Sequence, residues 1–133
     1  MITMTKRERF DGLRELRINI LTDELPEEYL PYATFLAADC DADTLRGCYD
    51  GQRFVSPPWE AGVLAHEEDP VNLLVIRGIE ALSERAQTKF ELLLKYKKSY
   101  VTELPDNCDI VVLAPREFTP TRKIAMLMSR VYD

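Results

Sequence analysis

Asp69-Pro70-Val71-Asn72-Leu73-Leu74-Val75-Ile76-Arg77-Gly78-Ile79 is the stretch on which the reading of this chain turns. Aspartate before proline is a strong helix start: the carboxylate accepts from the first free N–H groups, and proline sits where no donor is needed. From there Val71, Leu74, Val75, Gly78, Ile79, Leu82, Ala86, Phe90, Leu93 and Lys97 recur at helical spacing, and Leu73, Ile76 and Leu92 widen the apolar face. The spacing predicts a long central helix over 71–94, with room for a break near Ser83 or Thr88, its apolar first half either wrapped by a sheet, the favoured reading, or used in a subunit contact. Gly78, at a cost of about 1 kcal/mol relative to alanine in a helix interior, reads as a point of close backbone approach.

Working outward toward the N-terminus, Asp50-Gly51 separates Thr44–Tyr49 from Gln52–Val55. Asp-Gly supplies the two positive-φ positions of a tight turn, which predicts an antiparallel hairpin. Ser56-Pro57-Pro58-Trp59 then ends the ladder, with the sole tryptophan read as core cover or as a partner contact. The aromatic and apolar run Tyr32–Ala38 reads as a buried strand or a short helix, and Pro26 and Pro31 make the preceding residues a connector with room for one helical turn. Thr5 and Glu8 form a capping box ahead of Phe10, Leu13, Leu16 and Ile20, predicting a first helix over 6–19. Its Arg7, Arg9, Arg14 and Arg17 read as a solvated basic face, or as a counter-charge to the acidic segment that follows.

Toward the C-terminus, Ile110-Val111-Val112-Leu113 is a compact strand assigned to the hairpin's sheet. Thr119-Pro120 repeats the cap-and-proline start, and Ile124, Leu127, Met128 and Val131 read as the stripe of a final helix. The expected fold is therefore α+β in a single domain, 1–133. A small antiparallel sheet with a hairpin packs against a long central helix and two shorter terminal helices, in preference to a doubly wound α/β arrangement.

The 133 residues include 46% hydrophobic and 30% charged positions, ordinary globular usage that excludes a disordered or collagenous chain. No apolar run is long enough for a membrane helix, and Met1–Arg9 has charges without an apolar block behind them, so a cytoplasmic location is expected. Cys40, Cys48 and Cys108 are odd in number and widely spaced, which fits reduced thiols. The net charge of −6 is uneven. Residues 21–70 hold twelve acids against Arg46 and Arg53, an excess of ten negative charges, while the segments on either side are each +2. Such a segment repels phosphate, so direct nucleic-acid binding is not expected.

The chemical motifs fail when followed through. Asp39-x-Asp41-x-Asp43 opens like a calcium loop, but Thr44 stands where the loop needs glycine and Asp50 where it needs a bidentate glutamate,. The three cysteines and His66 lack zinc-knuckle spacing. His66 has no serine or cysteine nucleophile beside it, and no glycine-rich loop is present to cradle phosphate. No catalytic residue, cofactor or metal site is assigned, and the expectation is a protein that is not an enzyme.

Tyr49-Asp50-Gly51-Gln52-Arg53-Phe54, followed by Pro57-Pro58, resembles a short hairpin pattern of small phage tail and tail-fibre assembly proteins, over about a dozen residues. The resemblance implies a non-enzymatic binding or assembly protein of a virion or tail. Its partners would be copies of itself or a larger phage structural protein, with no membrane and no direct nucleic acid involved. Asp39, Asp41, Asp43, Tyr49, Asp50, Phe54 and Trp59 are the candidate partner-binding residues. The alternative, drawn from the acidic segment, is an inhibitor or nucleic-acid mimic acting on a nucleic-acid-processing enzyme.

Overall fold

A computed structural model of the chain describes residues 3–37, 48–50, 53–55, 72–97 and 108–132. Its centre is a five-stranded sheet rather than a helix. The strands are β1 (Ile20–Thr22), β2 (Ala33–Ala37), β5 (Asn72–Arg77), β6 (Cys108–Leu113) and β7 (Ser129–Val131), in the order β2-β5-β6-β1-β7. Every pairing is parallel, with Val75 opposite Val111, and Ile20 opposite both Val111 and Ser129. Cys48–Asp50 (β3) and Arg53–Val55 (β4) pair antiparallel over three residues each and join no strand of this sheet.

This overturns the expected α+β class: the molecule is of α/β type, its sheet is parallel, and the 71–94 segment is not one helix. The reason lies in what covers β5. Leu73 and Val75 pack with Phe10, Ile20, Val111 and Val131 on one face, while Leu74 and Ile76 pack with Leu21, Ile110, Val112 and Phe90 on the other. A strand buried on both faces is apolar at every position, as central parallel strands are, and such a run satisfies helical spacing by default. After β5 the chain makes a 3-10 turn (Ile79–Ala81) and the short helices α2 (Glu84–Gln87) and α3 (Glu91–Tyr96). Here the residues that continued the supposed stripe, Phe90 and Leu93, cover the sheet instead of lying in line with Leu74.

Helix α1 (Lys6–Glu15) begins at its expected cap, with the Thr5 hydroxyl accepting from the Glu8 N–H at 3.1 Å and donating to the Glu8 carboxylate at 3.2 Å. It stops short of residue 19 because Arg17 turns left-handed (φ 61°) and starts the chain into β1. The expected final helix is reduced to one turn, α4 (Arg122–Ala125), capped by Thr121 rather than Thr119, and the last apolar positions form β7. The sheet thus has α1 and a 3-10 helix (Glu27–Tyr32) on one face and α2, α3 and α4 on the other. The segment leaving β1 crosses the α1 face to reach β2, whereas the segment leaving β6 crosses the opposite face to reach β7.

Gly78 ends β5 with φ 85°, in the left-handed region, and a Cβ there would meet nothing within 4 Å. The glycine answers a backbone requirement, not a close approach. A Cβ added to Gly12, inside α1, would likewise find open space. Gly78→Ala should therefore lower stability by about 1 kcal/mol through backbone strain, while Gly12→Ala should raise it by up to about 1 kcal/mol through helix propensity. Urea unfolding of the two variants should show these opposite signs.

Candidate functional site

In open parallel sheets, ligands bind beyond the carboxyl ends of the strands where neighbouring connections diverge. Here that divergence falls between β1 and β6. A cleft of about 210 Å³ opens at this end, on the α1 side of β1 and β7, with Lys6, Phe10, Thr22, Glu24, Pro26 and Glu27 around it. Small-molecule pockets run to roughly 300–1,000 Å³, so this space suits one side chain better than a cofactor.

Its charges are largely set by the chain around it. Lys6 pairs with Asp23 and lies 3.4 Å from Glu24, and Arg7 pairs with Glu28. The basic stripe read from the sequence is in this way partly spent on the start of the acidic segment. The hydrogen bond from Lys6 is the main cause holding the Asp23 carboxyl below its usual 3.8, against the opposing effect of burial. For Lys6, burial alone would lower the ammonium's pKa, but its bond to Asp23 and the nearby charges raise it. Thr22 is buried, and its hydroxyl donates to the Val131 carbonyl at 2.9 Å. The cleft therefore contains carboxylates, a satisfied hydroxyl and an apolar floor, but no nucleophile with a base beside it.

The amino ends of the strands carry a different cluster. Asp109, the second residue of β6, is 1% exposed. Arg17 reaches its Oδ1 at 2.8 Å, Lys97 lies 3.6 Å from the same oxygen, and the Arg14 Nε lies 3.6 Å from Oδ2. Arg17 and Lys97 are the two non-glycine residues with positive φ among the described residues, each just past the end of a helix. The left-handed turns that end α1 and α3 deliver both cations to the same carboxylate. Lys97 also donates to the Cys108 carbonyl at 2.9 Å. Beside this cluster, the Asn19 amide donates to the carbonyls of Leu94 and Leu127 at 2.6 and 3.2 Å, holding the ends of α3 and α4 against the start of β1.

Three large apolar side chains stand in solvent within a few residues of that junction: Leu16 is 70% exposed, Tyr96 54% and Met126 78%. Leu16 and Met126 cap α1 and α4, and Tyr96 is the last residue of α3. Cys108 is buried there too, and its thiol is pushed up to about 11, chiefly by burial. Among the described residues no three His, Cys, Asp or Glu side chains are grouped to hold a metal.

Of the candidate residues read from the sequence, Asp39, Asp41, Asp43 and Trp59 lie outside the described residues, as does His66. Tyr49 is register partner to Phe54, and Asp50 to Arg53, in the separate β3–β4 pair. Sequence reading missed Asn19 and Asp109. The available signal was a polar residue standing immediately before or inside an apolar strand run, as in Asn19-Ile20-Leu21 and Asp109-Ile110-Val111. The sequence matches no protein-family model and no curated protein sequence.

Two measurements check these assignments. Removing a buried carboxylate from among its cations typically costs about 3 kcal/mol or more, and Asp109→Ala should fall in that range by chemical denaturation. For Asp23, a depressed carboxyl contributes stability above its unfolded value and loses it as pH falls through the folded one. Its titration followed by NMR should lie below 3.8 in the native protein and move up in Lys6→Met.

Proposed function

We propose that the chain is a non-enzymatic binding or assembly protein that docks a protein partner through the amino edge of its sheet. The observation that carries this reading is the exposure of three large apolar side chains, Leu16, Tyr96 and Met126, each at or just past the carboxyl end of α1, α3 or α4. Isolated apolar residues on a surface are ordinary, but large ones repeated at the ends of three helices are groups that protein contacts use. Asn19 and the Asp109 cluster hold the supporting backbone in place, which limits the ordering cost of binding.

No described helix is long and apolar enough to cross a membrane. In keeping with the Tyr49–Phe54 resemblance to phage tail and tail-fibre assembly proteins, the partner is a virion or tail component, another copy or a larger structural protein, met in the host cytoplasm. Leu16→Ser, Tyr96→Ser and Met126→Ser combined should abolish recovery of that component in affinity purification from the native host. Because all three side chains are exposed, each change should alter stability by no more than about 0.5 kcal/mol. Undiminished recovery by the triple variant would count against the reading.

A further inference from the structure

We draw no further inference here: the strongest candidate, the cleft of about 210 Å³ at the carboxyl ends of β1 and β7, is flanked by Lys6 and Arg7 that already pair with Asp23 and Glu28, and nothing in the structure shows what covers its apolar floor of Phe10, Pro26 and Val131.

Discussion

Asp109 is a carboxylate placed inside a strand whose neighbours are otherwise apolar, and the structure around it is arranged to accommodate that charge. A buried carboxylate without partners is strongly unfavourable, and its cost falls only when cations and hydrogen bonds surround it. Arg17 and Lys97 supply those cations by adopting left-handed backbone just after α1 and α3. Such a conformation costs a residue with a side chain about 1–2 kcal/mol. The same two turns redirect the chain, the first toward β1 and the second away from α3. The charge at Asp109 thus ties together helix ends on both faces of the sheet, and Asn19 reinforces the junction from the neighbouring strand.

The parts of the fold that local chemistry decides were legible in the sequence. The Thr5 cap, the connector around Pro26 and Pro31, the strand after Tyr32 and the strand at Ile110–Leu113 all appear where their residues suggest. What failed was the step from local pattern to architecture. In Leu73-Leu74-Val75-Ile76 no polar position breaks the run, so strand and helix fit it equally well. The outcome depends on whether other elements cover both faces, and those elements lie far away in sequence. Asp69-Pro70, a sound helix signal by itself, drew the reading toward a helix that Gly78 and two-sided burial do not allow. The same confusion hid β7, because Ile124, Leu127, Met128 and Val131 keep helical spacing across what is a single helical turn, a bend and a short strand.

The candidate site was less legible still. Leu16 occupies an apolar position of the first helix by its spacing, yet it falls after the last helical residue and stands in solvent. Nothing in its local sequence distinguishes it from Leu13, which packs against the core. Met126 likewise follows a helix that ends sooner than its pattern suggests, and Tyr96 is the last residue of α3. Element boundaries are the weakest part of pattern reading, and here the exposed apolar groups lie at those boundaries.

The strand order has a consequence for how the chain is made. β1 precedes the other described strands in synthesis, but its neighbours in the sheet are β6 and β7, whose paired residues begin at Val111 and Ser129. Until β7 has left the ribosome, Ile20 and Leu21 have no complete set of hydrogen-bonding neighbours, although β2, β5 and β6 can already assemble. Contacts between distant parts of a chain form slowly, because the loop must close before they contribute. Co-translational folding of this protein therefore completes the sheet at its β7 edge, with the earliest strand the last to gain both neighbours.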